Sequence, residues 1–218
     1  MSRWEIDTRS RLKDAALALY AERGYRDTTV AMLAARAGTT ERTFFRHFPD
    51  KKEVLFSEDR QLLAVLLGGV ADAPEGPALG LARAGVTALA RVLSSRRDEL
   101  GVRAAVIAGE PDLQERDATK RAAWTAALAS SLRARGVPAR EAGLAASAAA
   151  AVLALALEGW LAGPGRPGLL VRLDQGFQTL AEVVHADHRP QVPRSSPRRR
   201  APLSRQEPAA GPGPVRDR

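Results

Sequence analysis

The segment Ala37–Lys51, AGTTERTFFRHFPDK, sets polar, cationic and aromatic side chains side by side. Phe44, Phe45 and Phe48 fall within five residues, among Thr39, Thr40, Glu41, Arg42, Thr43, Arg46, His47 and Lys51. On a helix Phe44 and Phe48 are i,i+4 neighbours and share one face. Arg42, Phe45 and Arg46 share a second, and Thr43 and His47 a third. Burial of the Phe44/Phe48 face leaves a broad polar front. Arginine and threonine are groups that read base edges, whereas hydroxyls, His and Lys reach phosphates. The chemistry available is recognition of a DNA groove, not bond making. Phe45 is left open between a DNA contact and a partly buried ring.

The surrounding sequence supplies elements to hold that helix. Residues 8–23 put Leu12, Ala15, Ala16, Leu19 and Tyr20 on one stripe, and Gly24 is placed to end the helix. Thr28 or Thr29 caps a second helix ending near Gly38, and Thr39 or Thr40 caps a third running to Phe48. A glycine turn between short helices is the outline of a helix-turn-helix, and Ala34 allows close approach. Pro49 and Asp50 break the third helix, and a fourth is expected to start with Lys51, so that Lys51 adds a phosphate contact. Backbone N–H groups near Thr29 and Lys51 would also favour anions.

Beyond residue 70 the chain is rich in Ala and Leu, with turn signals at intervals. Helices are expected near 78–94, 98–108, 112–134, 138–162 and 168–186. No stretch alternates like a strand. The fold class is all-α, about nine helices. Residues 8–54 form the DNA-binding domain, with the helix-turn-helix at about 29–48. A helical effector-binding and dimerisation domain covers 55–187. The Pro/Arg-rich segment 188–218 reads as a disordered basic tail.

Composition narrows the function classes. The net charge of +8 arises mainly after residue 188, where eight Arg face two acids; residues 61–188 hold thirteen charges of each sign. The high isoelectric point is therefore a tail effect, and it gives little support to nucleic-acid binding by itself. Cysteine is absent, which suits a cytoplasmic setting and excludes thiolate zinc and cysteine nucleophiles. The N-terminal residues lack an apolar leader core, and the apolar run Ala145–Leu157 is shorter than the ~20 residues a membrane helix needs. No cofactor motif, no Ser–His–acid arrangement and no Gly-rich phosphate loop occurs, so no catalytic residue is assigned and no enzyme is expected. His185 and His188 lack a third ligand near them in sequence, so no metal site is assigned.

The stretch Thr28–Phe56, TTVAMLAARAGTTERTFFRHFPDKKEVLF, resembles the DNA-binding domain of the TetR/AcrR family of bacterial transcriptional regulators. With the first helix the resemblance covers about residues 8–56. It implies that Thr29 caps the second helix and touches a phosphate. Thr40, Glu41, Arg42 and Thr43 would lie at the base-facing start of the recognition helix, and His47 and Lys51 would hold phosphates. Phe45 stands where the family often has Tyr, and Thr39 where a small apolar residue is usual. The rest of the chain is similar in layout. The resemblance implies a homodimer through the helices near 138–162 and 168–186, binding a near-palindromic double-stranded operator. A small-molecule effector among the middle helices would release it, making the protein a repressor.

The middle helices offer Val86, Leu89, Leu93, Val102, Val106, Ile107, Trp124, Leu128 and Leu132 as possible pocket liners, which equally describes any helix core. Leu89, Leu93, Val106, Trp124, Leu128, Glu158 and Trp160 are the pocket candidates. Glu158 lies in an apolar helix and would either sit in a ligand pocket or pair with an Arg across a dimer seam. The stretch GEPDLQERDATKRAAW is similar to mycofactocin-type regulators, which would imply acyl-thioester or other lipophilic ligands. The competing reading is a helical small-molecule-binding or adaptor protein with little specific DNA binding.

Overall fold

A computed structural model describes residues 3–164 and 166–187. Among them are nine α-helices and no strand: α1 (Arg3–Arg23), α2 (Val30–Arg36), α3 (Glu41–His47), α4 (Asp59–Ala71), α5 (Ala78–Leu93), α6 (Arg97–Ala108), α7 (Pro111–Ala134), α8 (Ala139–Ala162) and α9 (Leu169–Asp187). The expected tail and His188 lie outside the described residues.

The head is built as its apolar spacing requires. Leu12, Ala15, Ala16, Leu19 and Tyr20 are all buried along one side of α1. Leu33, Ala34 and Ala37 of α2 and its end, and Phe44 and Phe48 of α3, close on that side. Gly38 links the two short helices at φ 64°, a left-handed conformation in which a Cβ would be strained. The Thr39 N–H donates to the Ala34 carbonyl at 2.9 Å, satisfying one of the orphan acceptors at the end of α2.

The fourth helix does not start at Lys51. Residues 51–58 form successive turns, and α4 starts at Asp59. Two causes act together. The Asp50 carboxylate accepts from the backbone N–H groups of Lys52 (2.9 Å) and Glu53 (3.0 Å), a local turn that competes with helix. Val54, Leu55 and Phe56 are all buried, and three consecutive side chains on a regular helix would not share one face.

The larger unit packs by close approach of small residues. A Cβ added at Gly85 would meet the Leu66 carbonyl at 2.8 Å, and one at Gly69 would meet the Ala88 Cβ at 2.6 Å. These glycines bring α4 and α5 together. A core of Leu, Ala and Val from α4, α5, α7, α8 and α9 fills the interior. The head core extends beyond the expected head: Leu55 and Phe56, together with Ile107 of α6 and Leu113 of α7, belong to it. α8 is long and apolar enough to cross a membrane by length and composition, although its buried side is part of the helical core.

Candidate nucleic-acid interface and effector cavity

The recognition helix α3 is anchored from behind and bare in front. Phe44 is fully buried and meets Phe48 at 5.5 Å between ring centroids. Phe45 is 54% exposed, and its ring stands T-shaped to that of Phe44 at 5.5 Å between centroids. Glu41, Arg42 and Arg46 are exposed, and Thr43 and His47 are half-buried. Among the described residues neither Arg42 nor Arg46 has an ion pair or a hydrogen-bond partner. Two caps hold the motif open at its polar ends. The Thr29 hydroxyl accepts from the Met32 N–H at 3.3 Å, and the Thr40 hydroxyl accepts from the Thr43 N–H at 3.2 Å. Thr40 and Thr43 hydroxyls also meet at 3.1 Å, so both start the helix as one polar pair.

Lys51 has a different place from the one expected. It is not at a helix N-terminus, and the nearby Lys52 and Glu53 N–H groups are taken by Asp50. Its ammonium donates to the carbonyls of Tyr25 (2.7 Å) and Thr28 (2.9 Å) and lies 4.3 Å from the Tyr25 ring centre. Burial pushes its pKa below the ordinary lysine value. Lys51 thus bridges the α1–α2 turn to the turn after α3. Its own carbonyl accepts from the Tyr20 hydroxyl at 2.7 Å.

Arg9 completes the frame, and sequence reasoning missed it. Its guanidinium donates to the His47 carbonyl (3.1 Å) and the Ser57 carbonyl (3.0 Å), and lies over the Phe48 ring. It therefore holds the C-terminal end of α3 and the approach to α4 together. Its position on α1 gives no signal in sequence, because both acceptors are backbone atoms reached through the fold.

Below the head lies a cavity of about 650 Å³, within the size range of small-molecule sites. Leu66, Leu89, Leu100, Leu128 and Leu157 line it from α4 to α8. Of the expected pocket residues, Leu89, Leu93, Trp124, Leu128 and Glu158 line the cavity, as does Val86. Val106 and Trp160 do not. Val106 packs against the head core, and Trp160 is buried between helices with Arg97 donating to its carbonyl. Val102, Ile107 and Leu132 are likewise absent from the lining; Ile107 joins the head core and Leu132 the main core. Glu158 is exposed rather than set in a buried stripe, and it has no ion pair among the described residues. No group of three metal-ligating side chains occurs among those residues.

The cavity wall carries ionic groups that periodicity alone did not single out. Lys13 bridges Glu58 (3.0 Å) and Glu99 (2.8 Å), and Arg96 pairs with the same two carboxylates. Elsewhere on the wall Arg103 pairs with Asp117 at 2.9 Å and donates to the Leu55 carbonyl at 2.8 Å. Lys120 lies between Asp59 (3.4 Å) and Asp117 (3.3 Å). Burial works to raise the Asp117 carboxyl, but Lys120, Arg103 and Arg121 outweigh it and hold it below the usual range. The wall therefore ties the turn after the recognition helix to α6 and α7. The one available sequence signal was the spacing of Asp117, Lys120, Arg121 and Trp124, which is helical.

Residues 12–57 match the family described as bacterial regulatory proteins, tetR family. The fold is similar to that of SmeT bound to triclosan: TM-score 0.59, 24% identity, 79% of this chain and 90% of that one covered. SmeT is the repressor of the Stenotrophomonas maltophilia multidrug efflux pump SmeDEF. It is also similar to the fatty acid degradation regulator FadR of Bacillus halodurans, with TM-score 0.60, 17% identity and coverage of 79% and 94%. Thermus thermophilus FadR in complex with lauroyl-CoA gives TM-score 0.51, 24% identity and coverage of 93% and 99%. No curated protein sequence matches the chain. The N-terminal domain is a TetR-family helix-turn-helix DNA-binding domain, and the chain as a whole is folded like the regulators of that family.

Proposed function

We propose that the protein is a ligand-responsive, dimeric transcriptional regulator that represses from a near-palindromic operator and is released by a small lipophilic effector. The observation that carries the DNA half is the bare front of α3. Arg42 and Arg46 stand exposed and unpaired beside Phe45 while Phe44 fixes the helix from behind. Thr29, Thr40, Glu41, Thr43 and His47 flank them, and Thr29 and Thr40 present capped helix starts to the phosphates. Lys51 contributes by stiffening the motif. Glu41 is favourable only where it accepts from a cytosine amino group.

The dimer half rests on exposed apolar side chains. Leu144 and Leu155 on α8 are 66% and 69% exposed, and Val171 and Val183 on α9 are about half exposed. Pairing these two helices with their copies would cover them and account for the apolar length of α8. Twofold symmetry would then set two recognition helices in successive major grooves, roughly 34–36 Å apart. The effector half rests on the Leu-lined cavity and on relatives whose solved complexes hold triclosan and lauroyl-CoA. An effector acts by binding one head spacing better than the other.

Binding of the full chain to its own upstream DNA and to a scrambled duplex, at several salt concentrations, tests this reading. A preference that survives moderate salt supports it. Equal, steeply salt-dependent binding to both duplexes would leave only phosphate contacts. Tight small-molecule binding without DNA affinity even at low salt would select the adaptor reading instead.

A further inference from the structure

The charges on the cavity wall cancel within it. Lys13 and Arg96 meet Glu58 and Glu99 in a closed set of four, in which each cation touches both carboxylates. A second set surrounds Asp117, which meets Arg103 at 2.9 Å, Lys120 at 3.3 Å and Arg121 at 3.4 Å, while Lys120 also reaches Asp59 at 3.4 Å. With Glu158 these groups make five cations and five carboxylates on the lining. Glu158 has no ion pair among the described residues, but it is exposed, as Arg121 is, and water screens it. A charged ligand would find each enclosed charge of the wall already matched.

Away from these sets the lining is hydrocarbon, and it changes in the same order along two helices. On α4 it passes from Asp59 to Leu62 and Leu66, and on α7 from Asp117 and Lys120 through Trp124 to Leu128. At the helical rise of about 1.5 Å per residue, Leu66 and Leu128 lie roughly 10 Å beyond the charged residues of their helices. Trp124 stands at the boundary, its ring centre 5.2 Å from the Lys120 ammonium. Its indole N–H has no hydrogen-bond acceptor among the described residues. That group is an uncharged donor that cannot accept, and away from water it ordinarily has a partner.

We propose that the cavity takes an uncharged lipophile carrying one hydrogen-bond-accepting oxygen, with that oxygen accepting from the Trp124 indole N–H and the hydrocarbon lying along Leu62, Leu66 and Leu128. The proposal rests on the effector reading and names its ligand class. A carboxylate or ammonium brought here would give up its water and then either stay unpaired or draw a wall charge off its present partner; both are costly. A carbonyl or hydroxyl oxygen gives up only neutral hydrogen bonds with water, which one indole donor goes far to replace.

Calorimetric titration of the full chain with 1-decanol, 2-decanone, decanoate, decyltrimethylammonium and butylbenzene tests it. The alcohol and the ketone are expected to bind on the order of tenfold tighter than either ion. Trp124→Phe is expected to weaken the alcohol and the ketone several-fold while leaving butylbenzene, which has no acceptor, unchanged; a merely structural role for the ring would move all three together. Asp59→Asn, which takes one carboxylate from Lys120, is expected to improve decanoate binding and leave the ketone where it was. Binding of either ion as tight as that of the alcohol in the parent chain overturns the uncharged assignment and leaves the lipophilic-effector reading standing. An equal loss of ketone and butylbenzene in Trp124→Phe overturns the seat of the oxygen. Failure of all five probes to bind a chain that still recognises its operator overturns the proposal and the effector reading together.

Discussion

The front of α3 and the wall of the cavity both display cations, and they treat them in opposite ways. Arg42 and Arg46 are exposed and unpaired among the described residues, whereas Lys13, Arg96, Arg103 and Lys120 each touch one or more carboxylates. The difference follows from water. An exposed guanidinium keeps its hydration until a phosphate or base edge replaces it, so leaving it unpaired costs little. A cation on a cavity wall has lost part of that hydration and needs a protein anion. The state of pairing therefore separates a surface that waits for a polyanion from an interior that must be neutral or nearly so. The same division runs through adjacent rings, since Phe44 is buried structure and Phe45 exposed surface.

The largest expected effect breaks the aromatic half of this contrast. Phe44→Ala is expected to destabilise the head by about 3–5 kcal/mol, as core Phe truncations do. Phe45→Ala should shift the melting temperature far less while weakening operator binding. Thermal unfolding and DNA titration of the two variants side by side would decide this, and equal destabilisation would remove the distinction.

Asp117→Asn comes next. It leaves Arg103 and Lys120 facing each other across a partly buried site, with an expected loss of ~3 kcal/mol. A stability within error of the parent chain in urea unfolding would mean that solvent already screens the cluster. By contrast Arg42→Ala is expected to leave stability within about 0.5 kcal/mol. It should relax discrimination at one operator base pair by ~1–3 kcal/mol. Competition with single-base operator variants measures that; an unchanged preference at every position takes Arg42 out of the reading set. The smallest effect sharpens the local frame. Thr40→Ala removes the cap of α3 and should cost about 1 kcal/mol, seen as a lower urea midpoint.

Local signals made much of the head legible. Helix punctuation by Gly24 and Gly38, capping by Thr29 and Thr40, and the i,i+4 pairing of Phe44 with Phe48 each depend on residues close in sequence. The helices beyond residue 70 were legible for the same reason, with turn signals near their ends. Lys51 failed as a helix start because Asp50 captures the next two N–H groups and three buried side chains follow in a row. Of the pocket candidates, Val106 and Trp160 were apolar at the right period yet turned to other cores. Periodicity marks which side of a helix is buried, not which neighbour it meets.

By itself the sequence determined the all-helical class, the helix-turn-helix and the resemblance of residues 8–56 to the TetR/AcrR DNA-binding domain, because short-range hydrogen bonding and a 3.6-residue period are written in adjacent residues. Tertiary structure alone decided that Arg9 would clamp α3 to the approach of α4. It also decided that Ile107 and Leu113 would complete the head core. Finally, it gathered Asp59, Arg103, Asp117 and Lys120 onto one cavity wall. Those groups come from α4, α6 and α7, and only long-range packing sets the distances on which their charges act.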